Sequence, residues 1–308
     1  MSSVSLKLDT EDLARRYERI SAERQFRLGK ELLRELALAP GETVLDIGCG
    51  TGMLAEYAAS LVGPAGSVTG IDPLPLRVEI AKKRSAANLG FKVGNAYELG
   101  ELAADSFDVV YMNAVFHWLP EKSAPLCAVL RVLKPGGRLG ITTVGPESRN
   151  WLHVIRQRVL AREPYAQYPE AQDSPHYRVS RDELEKLLLE NGFAIAQLET
   201  RVNVRNAAAR GQWTAEGALD FAEASSFGNF LGHLPQELQA PAREEIKRVL
   251  KGLRTRRRPD DAPRENTCFC ATARALRGPG VAQRLRRCFD ERCERGGFFG
   301  HRRHLGVR

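Results

Sequence analysis

No apolar run in this chain approaches the roughly 20 residues that a membrane-spanning helix needs, which removes integral helical membrane proteins from consideration. The stretch from Met1 to Thr10 lacks the apolar core of a secretory signal, so a cytoplasmic protein is expected. Cysteine is sparse and scattered, at positions 49, 127, 268, 270, 288 and 293, with no paired C-x-x-C units to hold zinc. Cys268 and Cys270 share one face of an expected strand and lie too close along the chain for an unstrained bridge. Small buried hydrophobes are the simpler reading of these thiols, and no metal site is expected. Most of the chain also lacks a charge excess. The net charge is +8, but residues 278–308 alone carry +5, with eight arginines against Asp290, Glu291 and Glu294. A second run, Arg254-Thr-Arg-Arg-Arg258, precedes Pro259-Asp-Asp261 in an expected loop. Basic tails and loops of this kind are more often solvated than nucleic-acid-reading, so a nucleic-acid partner is disfavoured.

What is present is ordinary globular material with one exceptional segment. At 308 residues, 43% hydrophobic and 27% charged, the chain has length for one large domain with insertions. The exceptional segment is Val44-Leu-Asp-Ile-Gly-Cys-Gly-Thr-Gly52. Glycines alternate at Gly48, Gly50 and Gly52, after a short apolar run of strand character and before the helical Leu54–Leu61. Missing side chains at such positions let the backbone bend sharply and approach a ligand. A second strand-like run, Ser67-Val-Thr-Gly-Ile71, ends in Asp72, whose carboxylate can accept from two vicinal ribose hydroxyls. Together these residues describe a pocket for an adenosine-containing cofactor.

The spacing selects among such cofactors. A dinucleotide-binding turn reads G-x-G-x-x-G, and its third glycine would fall at position 53, which is Met53. Asp46, ahead of the first glycine, would repel a phosphate and suits a cationic partner. The form acid-x-G-x-G-x-G resembles the first motif of the class I S-adenosylmethionine-dependent methyltransferases, and the resemblance covers about residues 10–200.

That resemblance implies S-adenosyl-L-methionine as cofactor and carries roles over position by position. Asp46 would hold the methionine ammonium group, Gly48, Gly50 and Gly52 would line its methionine and ribose side, and Asp72 would bind the ribose. The third motif usually ends its strand with an aspartate; here it is Asn95, which accepts through an amide oxygen without charge assistance. The Ala96 backbone N–H would read the adenine ring. Asn113 ends the fourth strand where such folds place reacting groups, or else bonds local backbone. Tyr17 matches an N-terminal aromatic that closes over the cofactor, although a core role in the first helix serves the residue equally.

Asn113-Ala-Val-Phe-His-Trp118 lacks the two prolines of methyltransferases acting on exocyclic adenine amines or on glutamine. Phe116-His117-Trp118 instead resembles small-molecule members such as the trans-aconitate type. His117 is the candidate catalytic residue, orienting a carboxylate or taking a proton from a hydroxyl; a histidine bonding local backbone is the alternative.

The remaining pattern alternates strand and helix. Strands are expected at Thr43–Ile47, at 67–72, 91–94 and 109–113, at Arg138–Val144, then at Phe193–Val204 and Asn266–Arg274. The first helix, 10–37, is capped by Thr10 and broken near Ser21. The helix from Pro75 carries Arg77, Lys82, Lys83 and Arg84 on an expected outer face, and Ser180-Arg-Asp-Glu183 forms a capping box. The expectation is an α/β fold with a Rossmann-like, doubly wound, mostly parallel sheet, an antiparallel last strand at its edge, and helical insertions. Its organisation would be a helical cap over 1–40, the cofactor-binding core over 41–145, the rest of the sheet with lid-like insertions over 146–277, and a basic disordered tail over 278–308.

Function therefore reads as methyl transfer to a small-molecule acceptor, with O-methylation of a carboxylate favoured. An RNA or protein methyltransferase using the basic segments, and a non-catalytic S-adenosylmethionine-binding module, stay open. A thiol- or arsenic-directed enzyme would need cysteines converging on the sulfonium. Acceptor identity and oligomeric state are not legible in the sequence.

Overall fold

The computed structural model describes residues 10–146, 151–169, 177–203, 214–225, 230–256 and 266–276. The basic segment 278–308, Cys288 and Cys293 lie outside these residues, as do His176 and residues 204–213.

Seven strands form one sheet in the order β3-β2-β1-β4-β5-β7-β6. The strands are β1 (Thr43–Ile47), β2 (Ser67–Asp72), β3 (Leu89–Val93), β4 (Phe107–Asn113), β5 (Leu133–Val144), β6 (Phe193–Asn203) and β7 (Asn266–Ala275). All neighbours from β3 to β5 are parallel, while β7 runs antiparallel to both β5 and β6. The last strand is antiparallel as expected, but it inserts between β5 and β6, so β6 takes the edge. The reason is hydrophobic: Phe269, Ala271 and Ala273 of β7 are buried on a sheet covered from outside. Val109, Val110, Tyr111 and Met112 are likewise buried consecutively, as a parallel strand covered on both faces requires.

On one face lie α2 (Glu23–Leu36), α3 (Met53–Val62) and α4 (Pro75–Lys82), which pack Leu32, Leu36, Leu54, Ala58 and Val78 against the sheet. On the other lie α5 (Ser123–Val132) and α7 (Arg181–Glu190), contributing Leu126, Val129, Leu184 and Leu188. Ser180 caps α7 by the expected capping box, accepting from the Glu183 amide while Glu183 accepts from Ser180. A third apolar cluster joins α6 (Trp151–Leu160), α8 (Ala215–Ser225) and α9 (Gln236–Arg256) through Ile155, Leu219, Phe230 and Ile246. No described helix is long and apolar enough to cross a membrane.

The first expected helix is three pieces. Thr10 caps α1 (Glu11–Arg16), a π-helical turn spans Tyr17–Ala22, and α2 resumes at Glu23. The wider turn is held from outside. Arg16 pairs with Asp220 and Glu223 of α8, at 3.1 and 2.6 Å, and Arg84 pairs with Glu18. The basic face assigned to α4 also needs correction, because Arg77 is buried there at 4% exposure. Cys127 departs from the reading of the cysteines as inert thiols, since it is disulfide-bonded.

The chain runs β1, β2, β3 to one side and then returns to lay β4 on the other flank of β1. Such a reversal leaves a crevice beyond the carboxyl ends of the two strands. Asp46 and Ile47 end β1 there, and Asn113 ends β4.

Candidate cofactor site

The glycine turn leaves β1 and hangs from the end of β2. The Gly48 and Cys49 amides donate to the Ile71 carbonyl, at 2.7 and 2.9 Å. The Gly50 amide donates to Asp72 Oδ2 at 2.9 Å, and the Leu74 amide donates to Asp72 Oδ1 at 3.0 Å. Asp72 thus ties the turn to the start of α4. Gly48 has φ +77° and Gly52 φ +86°, in the left-handed region. Room is short as well: a Cβ at Gly48 would lie 2.3 Å from Val115 Cγ2, and one at Gly52 would lie 2.7 Å from Phe91 Cζ. These two glycines are demanded by packing behind the turn as much as by a ligand in front of it.

Above the turn lies a cleft lined by Tyr17, Gln25 and Phe26 of the N-terminal segment. Asp46, Gly48, Cys49, Thr51, Met53, Leu54 and Asn113 complete it. Of the residues singled out from sequence, Tyr17, Asp46, Gly48 and Asn113 reach this lining. Gly50, Gly52, Asp72, Asn95, Ala96 and His117 do not.

Asp46 is 2% exposed, and Tyr111 donates its hydroxyl to Oδ2 at 2.8 Å. The pairing register sets Asp46 directly beside Tyr111 on the neighbouring strand. Burial pushes the Asp46 carboxyl up to about 8; the Tyr111 bond opposes the shift and the charge of Asp72 adds to it. A carboxyl so placed ionises readily only when a cation comes to it. Thr51 Oγ1 is buried at the same cleft with no hydrogen-bond partner among the described residues, and α3 points its positive end at the same place. A buried acid wanting a cation, an idle hydroxyl and a helix N-terminus suit a ligand carrying both ammonium and carboxylate groups. The methionine half of S-adenosylmethionine is such a ligand, so these residues fit it.

Tyr17 lies across the turn: a Cβ at Gly50 would lie 3.1 Å from its Cε1 and 3.2 Å from its hydroxyl. Burial raises the Tyr17 hydroxyl above its ordinary value; Arg77 opposes this, while Asp72, Cys49 and Asp46 reinforce it. The ring therefore stands in the field of both acids. Asn113 donates from Nδ2 to the Gln25 carbonyl at 3.0 Å and accepts from Thr142 Oγ1 at 2.7 Å. Its amide joins the end of β4 to the N-terminal segment. Asn95 accepts at Oδ1 from the Tyr97 amide and donates to Glu98, forming a local turn. Ala96 is buried. Arg27 is exposed, and Lys30 sits 4.8 Å over the Phe26 ring.

His117 follows β4 in a 3₁₀ turn, Phe116–Trp118, and is 5% exposed. Its Nδ1 lies 3.4 Å from Thr143 Oγ1, and its carbonyl accepts from the Tyr177 amide at 2.7 Å. Lys122 holds this turn by donating to the Phe116 and Leu119 carbonyls, and burial lowers its ammonium to about 8. Sequence reasoning missed Thr51, Arg77, Tyr111 and Lys122. For Tyr111 a signal existed, a polar-tipped aromatic in an otherwise aliphatic strand, whose hydroxyl needs a buried partner. Among the described residues no cluster of three His, Cys, Asp or Glu side chains could hold a metal ion.

Comparison with known proteins agrees with this geometry. Residues 38–192, half of the chain, match the methyltransferase-domain family. The chain is 43% identical to the arsenite methyltransferase of Halobacterium salinarum over 114 residues, covering 35% of this chain and 28% of that protein. It is 32% identical to the malonyl-acyl-carrier-protein O-methyltransferase of a Paenibacillus species over 156 residues, 49% of this chain and 55% of that one. The chain thus spans less than two thirds of either relative. The fold also matches the phosphoethanolamine N-methyltransferase 2 of Haemonchus contortus, solved with S-adenosyl-L-methionine. There the TM-score is 0.50 and the identity 20%, over 82% of this chain and 53% of that one. With the glycine turn, the acid ahead of it, the reversal at β1 and β4, and this family match in register, the chain belongs to the class I S-adenosylmethionine-dependent methyltransferases.

Proposed function

We propose that this protein transfers the methyl group of S-adenosylmethionine to an oxygen of a small-molecule acceptor, with a carboxylate favoured. The observation that carries the cofactor half is Asp46, a buried acid raised to about 8 at the end of β1, facing the cleft. When bound, S-adenosylmethionine supplies a methyl group already activated by its sulfonium. Asp46 would hold the ammonium group, with Tyr111 fixing the carboxyl. Thr51 Oγ1 and the α3 N-terminus would meet the carboxylate. Asp72 would accept from the ribose hydroxyls, and Asn95 with the Ala96 N–H would read the adenine. Asn113 keeps the N-terminal segment seated on the cleft, and Tyr17 excludes water from it.

The protein's main task in such a displacement is alignment, so no catalytic triad is required. A carboxylate acceptor needs no base. His117, beside Thr143, would orient that carboxylate, or take the proton of a hydroxyl acceptor. The carboxylate preference, and with it a place beside the trans-aconitate type, rests on Phe116-His117-Trp118 and on the O-methyltransferase named above. The acceptor side would be built by the N-terminal segment and by α6, α8 and α9.

An arsenic-directed reaction gains less support. Among the described cysteines only Cys49 lines the cleft, and burial holds its thiol well above the ordinary range. Cys270 is buried against Glu35 instead. The fold alone is compatible with S-adenosylmethionine binding without transfer. Incubation with methyl-labelled cofactor and a panel of carboxylic acids, phenols, amines and thiols separates these readings. The expected product is a labelled ester, released as methanol by mild base. Label in a base-stable product would overturn the carboxylate. Bound cofactor with no labelled product would favour a non-catalytic module.

A further inference from the structure

Arg77 has no place in the cofactor roles above, and a second buried cation near an ammonium site calls for a reason. Its guanidinium carbon lies 3.7 Å from the centroid of the Tyr17 ring, at stacking distance. From the same group, Nη2 donates to the Ala224 carbonyl of α8 at 3.4 Å. Arg77 therefore joins three segments distant in sequence: the core helix α4, the π-helical turn and the helical insertion.

The backbone of that turn has its own anchor. Arg84 pairs with Glu18 and Glu56 and donates from Nε to the Thr51 carbonyl at 3.1 Å. Arg84 and Arg16 thus seat the turn, whereas Arg77 lies on the face of the ring. A tyrosine at the start of a π-helical turn has a rotatable χ1, and an aromatic face left bare would sample several rotamers. A planar guanidinium laid on one face removes that freedom by cation–π attraction and stacking. The ring edge stays against Gly50, and the ring still lines the cleft beside Asp46.

We propose that Arg77 is a positioning residue, fixing Tyr17 over the glycine turn and thereby setting the affinity for the adenosyl cofactor; this rests on the cofactor reading above. Preorganisation of the ring removes an ordering cost that the ligand would otherwise bear. The effect is also tied to α8, because the guanidinium that clamps the ring is bonded to the insertion expected to contact the acceptor.

A double-mutant cycle read by calorimetric titration of S-adenosylhomocysteine tests this without any acceptor. Arg77→Met is expected to weaken binding about tenfold, and Tyr17→Ala at least as much. The double variant is expected to bind like Tyr17→Ala alone, because Arg77 acts through the ring. Arg77→Lys, which keeps the charge but loses the planar stack, should fall between wild type and Arg77→Met. Additive losses in the double variant, or unchanged affinity in Arg77→Met, would overturn the proposal. If Arg77→Met does not fold, by its thermal melt, the same cycle is run with Arg77→Lys and judged by the same criterion. Failure of the wild-type protein to bind S-adenosylhomocysteine would instead sink the cofactor reading.

Discussion

Replacing Asp46 by asparagine separates what the carboxyl does for the empty protein from what it does for the ligand. In the free protein, burial raises the Asp46 carboxyl to about 8, whereas in the unfolded chain it titrates near 3.9. Between those values the folded state holds a proton that the unfolded state has lost. Stability contributed by the protonated form is therefore fully present below about pH 4 and is lost as pH rises towards about 8. The slope from this one group is about 1.4 kcal/mol per pH unit. Asparagine has no such slope. The stability of Asp46→Asn relative to wild type should thus grow by about 3 kcal/mol between pH 5 and pH 7, measured by urea denaturation without cofactor. A difference independent of pH would refute the reasoning.

The same carboxyl should reveal itself in binding. At pH 7 roughly nine-tenths of Asp46 is protonated in the free protein, and an arriving ammonium group would ionise it. Titration of S-adenosylhomocysteine in buffers of different ionisation enthalpy should then show close to one proton released at pH 7. The variant should release none and bind at least tenfold more weakly. Proton release that survives in Asp46→Asn would assign the linkage elsewhere.

Three further perturbations follow from the geometry. Gly48→Ala combines a left-handed φ with a Cβ 2.3 Å from Val115 Cγ2, and should cost about 1–3 kcal/mol of unfolding free energy; wild-type stability in that variant would contradict it. Asp72→Ala should abolish detectable S-adenosylhomocysteine binding. It should also lower stability by about 1–3 kcal/mol, because the Gly50 and Leu74 amides lose their acceptor; unchanged affinity would rule out the ribose role. His117→Gln should leave S-adenosylhomocysteine affinity within about twofold while lowering kcat on a hydroxyl acceptor by about 10²-fold. Undiminished turnover would remove His117 from the reaction.

The parts legible in the sequence are those written in contiguous residues. The glycine turn, the strand that feeds it, the helix that leaves it and the acid ending β2 all lie within residues 43–72. Their chemistry follows from spacing alone. Thr10 and Ser180 announced their helices for the same reason. The seating of β7 between β5 and β6 was not legible, because antiparallel pairing with either neighbour satisfies the same alternation of small and apolar residues. Nor was Tyr111 as the partner of Asp46, since strand register brings together residues far apart in the chain. Arg77 misled most: on a short helix with lysines nearby, an arginine reads as solvated. Only the packing of the π-helical turn and α8 against α4 shows that this one is covered. Asn113 was read as a reacting-group position or as a residue bonding local backbone; its bonds run instead to the Gln25 carbonyl, distant in the chain, and to Thr142 of the neighbouring strand.

The central claim is that a buried acid beside a glycine turn receives a cationic sulfur nucleoside. Calorimetry of the purified protein with S-adenosylmethionine, NAD and ATP in parallel tests it most directly. S-adenosylmethionine should bind with proton release at pH 7, and the two phosphate-bearing ligands should give no heat of binding. Tight binding of NAD or ATP, with S-adenosylmethionine ignored, would contradict it.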